Sequence, residues 1–116
     1  MEVIEKPWGR EEIWAATEHY VGKFLYINAG HKLSRQYHRE KEETIYVVEG
    51  TLVLELGTPG ETNYEKIILG LGAKWNIKPK TIHRFCAPSG GCKLIEVSSP
   101  QIDDVVRIED DYNRVK

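Results

Sequence analysis

A chain of 116 residues, 41% hydrophobic and 29% charged, has the make-up of one soluble globular domain with a single core, spanning residues 1–116. Its formal charge of -2, with no basic run, leaves no electrostatic footprint for nucleic acid, and no apolar run of about 18 residues is present to span a membrane as a helix. Two cysteines, Cys86 and Cys92, are too few for a disulfide framework, and no charged start precedes an apolar block, so a cytoplasmic protein with both thiols reduced and packed is expected.

In chain order, residues 1–6 read as a short lead-in to the rigid Pro7-Trp8-Gly9 unit. Strands rich in aromatic and branched residues are expected over 12–16 and 20–29, ending at an Asn28-Ala29-Gly30 turn, with a further strand over 33–38. Strands over 44–48 and 51–56 are expected to pair through the Glu49-Gly50 turn, with Leu52, Leu54 and Leu56 on one face. Pro59-Gly60 marks a loop before strands over 64–69 and 73–77, which Gly70-Leu71-Gly72 separates. Strands over 81–87 and 93–99 flank the turn at 88–91, with Cys86 and Cys92 placed to face each other across a hairpin. The tail holds a strand around 105–108 and a turn at Asp111-Tyr112-Asn113. No helical period lasts beyond about three turns, and no repeat is present. Many short strands with Gly/Pro turns mean a sandwich or a barrel.

The chemistry gathers between Gly30 and Gly50. Gln36 and His38 are two apart, so on a strand both side chains leave one face. The polar link 39–42 is expected to fold the next strand, opened by Glu43, back beside the first. Glu43 shares a face with Ile45 and Val47, and a carboxylate among inward apolar residues needs a counter-charge. Amide oxygen, imidazole and carboxylate then converge, and His83 is placed to add a fourth group. One divalent ion would favour the set Gln36, His38, Glu43 and His83, whose nitrogen and oxygen ligands admit zinc, manganese, iron, nickel or cobalt. Ligands from separated strands meet inside a barrel, so an all-β jelly roll is expected. His19 and His31 lie outside this pattern and read as loop residues.

These residues resemble the cupin family. Gly30 to Gly50 is similar to its first motif, with Gln36 in the first histidine position. Gly72 to Ala87 is similar to its second, with His83 as the metal histidine, Lys78 and Lys80 where a proline and a glycine are usual, and Ala87 where an asparagine is usual. A finer likeness is to the cupin domain of type II mannose-6-phosphate isomerases. It is carried by Lys6-Pro7-Trp8-Gly9, Leu33-Ser34-Arg35-Gln36-Tyr37-His38, Thr81-Ile82-His83-Arg84-Phe85, Leu94-Ile95-Glu96-Val97 and a tail from Asp103 to Arg114 in which Asn113 replaces the usual glycine. The resemblance implies a cupin double-stranded β-helix with glutamine beside histidine as metal ligands. It also implies a metal-dependent aldose–ketose isomerase of sugar phosphates, mannose 6-phosphate to fructose 6-phosphate through an enediol. Nothing here resembles the glycine-rich nucleotide loop of the nucleotidyltransferase domain often fused to such cupins, and the chain is expected to stand without it.

Further residues have a functional and a plain structural reading. Arg39, Lys41, Lys78, Lys80 and Arg84 suit a phosphate-binding rim or a solvated surface, although Arg84 alternates with His83 and should leave the opposite face. Trp8 and Trp75 suit a sugar-stacking wall or the core. Glu96 alternates with Ile95; the pattern leans outward, while an inward carboxylate there, or a residue of the 39–42 loop, would be the general base. Two rival functions are another metal-cupin reaction, such as oxygenation or uronate processing, and a non-catalytic metal- and sugar-binding cupin. The expected partners are a sugar or sugar phosphate and a second copy of the chain, paired through an edge strand.

Overall fold

The computed structural model describes residues 2–115. These form eleven strands: β1 (Glu2–Lys6), β2 (Gly9–Ala16), β3 (Val21–Ile27), β4 (Arg35–Tyr37), β5 (Glu43–Glu49), β6 (Leu52–Gly57), β7 (Glu65–Leu69), β8 (Lys74–Ile77), β9 (Ile82–Cys86), β10 (Cys92–Ser98) and β11 (Val106–Glu109). They make two antiparallel sheets, one in the order β1-β2-β3-β10-β5-β8 and the other β11-β4-β9-β6-β7. The fold is the expected all-β jelly roll, and among the described residues no helix is long and apolar enough to cross a membrane.

The lead-in is in fact a strand. β1 pairs with β2 from Glu2↔Ile13 to Lys6↔Gly9, so Pro7 and Trp8 form the tip of a tight hairpin. Gly9 is required by proximity: a Cβ there would sit 1.8 Å from the Tyr26 carbonyl oxygen.

Two expected hairpins are instead crossovers. β5 and β6 belong to different sheets, as do β9 and β10, so the turns at 49–51 and 87–91 carry the chain across the barrel. Those turns touch, since a Cβ on Gly50 (φ +76) would meet the Gly91 carbonyl oxygen at 2.1 Å, leaving room only for glycine. Cys86 and Cys92 are free, buried thiols on opposite sheets, each pushed up to about 11 by burial. The same alternation places inward side chains face to face. Leu25, Ile45, Val47 and Leu94 of one sheet meet Leu52, Leu54 and Phe85 of the other in a dry core. At the end of β5 away from Gly50, that core gives way to Glu43.

Candidate metal centre

His38 follows β4, Glu43 opens β5 and His83 lies on β9. β4 and β5 do not lie side by side as expected; they belong to opposing sheets, so His38 and Glu43 meet across the interior. β4 pairs with β9 instead, which sets Gln36 opposite His83 on one face. His38, Glu43 and His83 are at most 4% exposed. Glu43 Oε1 lies 3.3 Å from His38 Nε2 and 3.1 Å from His83 Nε2. Gln36 is half-buried, and its Oε1 accepts the Ser34 hydroxyl at 2.6 Å.

Carbonyl groups fix the proton on each ring. His38 Nδ1 donates to the Asp104 carbonyl at 2.5 Å, and His83 Nδ1 donates to the Thr81 carbonyl at 3.0 Å. A carbonyl only accepts, so each neutral imidazole carries its hydrogen on Nδ1 and a lone pair on Nε2. Both Nε2 atoms and Glu43 Oε1 are buried without a hydrogen-bond partner. Burial raises the Glu43 carboxyl, whereas positive charge at the centre, on an imidazole or from a bound cation, lowers it well below its usual range. Three electron-pair donors within 4.8 Å of one another, two with their tautomers fixed from behind, are a donor set that fits a divalent cation.

A row of buried charges adjoins the three. Lys41 Nζ is 3.4 Å from Glu96 and 3.9 Å from Glu43, while Lys23 stands opposite Glu96 in register and 3.4 Å from Glu11. Glu96 therefore points inward, at 4% exposure, against the outward lean of its alternation. Burial and the Glu43 carboxylate push its carboxyl up, while Lys41 opposes them. For Lys41, burial lowers the ammonium, and Glu96 and Glu43 more than restore it. A cavity of about 360 Å³ opens onto Gln36, His38 and Lys41, with Trp8 and Lys23 also in its wall. Glu96 is not in that wall, although its partner Lys41 is.

The other candidates are placed as follows. Arg39, Lys78 and Lys80 are exposed and do not line the cavity, so Lys41 is the one cation of the expected rim that does. Trp8 is core and cavity wall together, and Trp75 packs against the core. Arg84 is buried, donating to the Leu33 carbonyl and to Asp111, and it ties β9 to the tail. His31 bonds Tyr112 at 2.6 Å, while His19 is exposed beside Glu18.

Asp104 is a residue the sequence reading missed, although it lies within the quoted tail motif. Besides its carbonyl on His38, its carboxylate accepts the backbone N–H groups of Arg39, Glu40 and Lys41 at 2.7–3.0 Å. Those bonds hold the carboxyl down at about 2. Asp104→Ala should weaken metal affinity by about tenfold or more, as read by competition with a chelating dye. The sign for pH follows: a depressed carboxyl stabilises fully above its ordinary 3.8 and loses that contribution as pH falls through about 2. The acid limb of the parent's unfolding curve should flatten there in the variant.

A family model described as Mannose-6-phosphate isomerase C-terminal matches residues 1–110. Mannose-1-phosphate guanylyltransferase ManC of Salmonella typhimurium is 34% identical over 122 residues, covering 97% of this chain and 23% of that protein. The chain thus spans about a quarter of the length of the curated relatives it matches. Among solved structures, KdgF from Halomonas sp. superposes with a TM-score of 0.75 at 23% identity over 89% of both chains. An RmlC-like cupin from Shewanella frigidimarina gives 0.75 at 19% identity, covering 88% of this chain and 86% of its own. At such identities these likenesses speak for the fold, the cupin double-stranded β-helix.

Proposed function

This chain belongs to the mannose-6-phosphate isomerase C-terminal family, and from that premise we propose that it is a metal-dependent isomerase interconverting mannose 6-phosphate and fructose 6-phosphate. The observation that carries the reading is the buried, unpartnered donor set of His38, Glu43 and His83, which meets a cavity of substrate size through His38. Those three residues, with Gln36 as fourth, would hold one divalent ion. Such an ion would supply Lewis-acid stabilisation of the negative charge that grows on the substrate's carbonyl oxygen.

The remaining work falls to side chains in the wall. Isomerisation takes a proton from the carbon beside the carbonyl and returns it to the neighbouring carbon, which requires a base within reach. Glu96, the candidate base from sequence, does not line the cavity and is held by Lys41, which does. Glu11 and Asp103 are the carboxylates in the wall, and Glu11, braced by Lys23 at 3.4 Å, is the base we assign. The Lys41 ammonium, fixed by Glu96, faces the same space and steadies negative charge on a substrate oxygen. Trp8 closes the wall and keeps water from the carbanion-like intermediate.

A second reading is favoured by the names of the curated relatives, mannose-1-phosphate guanylyltransferases that are about four times longer. There the chain would be a mannose-phosphate-binding unit without turnover. A coupled assay of mannose 6-phosphate conversion separates the two. Activity should vanish after exhaustive chelation and return on adding one of zinc, manganese, iron, nickel or cobalt. Binding of mannose phosphates with no conversion under any of these metals would leave the binding unit.

A further inference from the structure

We propose that Lys6 and Arg107 form an anion subsite at the mouth of the cavity, taking the phosphate of a sugar monophosphate whose other end lies at the metal centre. The proposal rests on the sugar-phosphate reading above and replaces the rim expected from Arg39, Lys78 and Lys80.

Topology brings the two residues together. β1 and β11 are the outermost strands of their sheets, one on each. Lys6 and Arg107 both line the cavity. Arg107 pairs in register with Gln36, and Gln36 with His83, so all three leave the same face of one sheet. Arg107 is thus two strands from the metal histidine, roughly 10 Å across the sheet. That separation suits a linear sugar chain with its carbonyl end at the metal and its phosphate at the guanidinium.

Charge accounting singles out the same pair. Lys23 is engaged by Glu11 at 3.4 Å, Lys41 by Glu96 at 3.4 Å and Arg114 by Asp110 at 2.8 Å. Among the described residues, Lys6 and Arg107 have no salt bridge, and the Arg107 Nε is buried without a hydrogen-bond partner. A buried guanidinium N–H with no acceptor is unfavourable. Its planar fork matches two phosphate oxygens, and a neighbouring ammonium adds a point charge. The remaining carboxylate of the mouth, Asp103, is exposed to water.

The test is calorimetric titration of the metal-loaded protein with inorganic phosphate, mannose 6-phosphate and mannose. The parent should bind both phosphate compounds, and Arg107→Gln and Lys6→Gln should each weaken them by about tenfold, with mannose unaffected. Arg107→Lys keeps the charge without the fork and should retain part of the affinity. It also carries the test if the glutamine variant does not fold. Parent-like phosphate affinity in folded, metal-loaded variants would overturn the subsite, as would a parent indifferent to phosphate. Phosphate binding that the variants lose, without conversion of mannose 6-phosphate, supports the subsite and removes the isomerase reading alone. Conversion with an unchanged KM in both variants removes the subsite alone.

Discussion

His83→Ala should abolish bound metal and turnover together, while leaving the barrel folded. The side chain is fully enclosed, and its Nε2 is one of three buried donors without a hydrogen-bond partner. Truncation removes a ligand whose orientation the Thr81 carbonyl fixes from behind. We expect metal affinity to fall by more than about a hundredfold and turnover by at least about a thousandfold. The decisive readout is thermal. A ligand that binds only the folded state stabilises by about 2.7 kcal/mol at a hundred times its dissociation constant, so added metal should raise the parent's Tm and leave the variant's unchanged. An equal metal-induced shift in both proteins would show that the ion is not held by this set. Fold loss is kept separate because each protein is compared with its own metal-free state.

The motif that sets this centre was legible because side-chain alternation is a local property. Gln36 and His38 two apart, and Glu43 in phase with Ile45 and Val47, needed only the period of a strand. Which strand lies beside which is not local. Alternation looks the same whether a turn folds the chain back into one sheet or carries it to the other, and for that reason the turns around Gly50 and at 87–91 were read as hairpins. Two departures from the family pattern have a backbone explanation. Lys80 (φ 66) and Asn113 (φ 60), standing where glycine is usual, are the two non-glycine residues with positive φ among those described. Lys80 keeps that conformation while its N–H donates to the His38 carbonyl at 2.7 Å. Buried charges on strands were not legible: Lys23 and Glu96, partners in register, both point inward at a site where charges are matched to each other rather than to water.

Lys41→Met should therefore cost far more than a surface lysine would. Lys41 is 6% exposed and lies between two buried carboxylates, Glu96 at 3.4 Å and Glu43 at 3.9 Å. Removing one partner of a buried ion pair leaves an uncompensated charge and typically costs about 3–5 kcal/mol, whereas replacing the whole group by apolar atoms is close to neutral. Urea unfolding above about pH 8, where Glu96 is ionised beside Lys41, should show a loss of that order, largest in metal-free protein, where no cation offsets Glu43. Adding Glu96→Gln to the variant should recover most of the loss, because Glu43 then meets an amide. The pH dependence has a definite sign. With Lys41 gone, burial and Glu43 raise the Glu96 carboxyl further above the ordinary 4.5, and Lys23 is the cation left to oppose them. The neutral form is then the stable one: the folded state binds the proton more tightly than the unfolded chain does. Its stabilisation is complete below that ordinary value and drains away as pH rises through the raised one. In the parent that raised value is already about 8, so the single variant should gain stability relative to the parent as pH falls towards about 8 from above and run parallel to it below, and the double variant should show no such gain. A loss below about 1 kcal/mol in the single variant, the range of an exposed pair, would mean that water reaches these carboxylates. The closed, low-dielectric wall from which Lys41 is argued to act would then be absent.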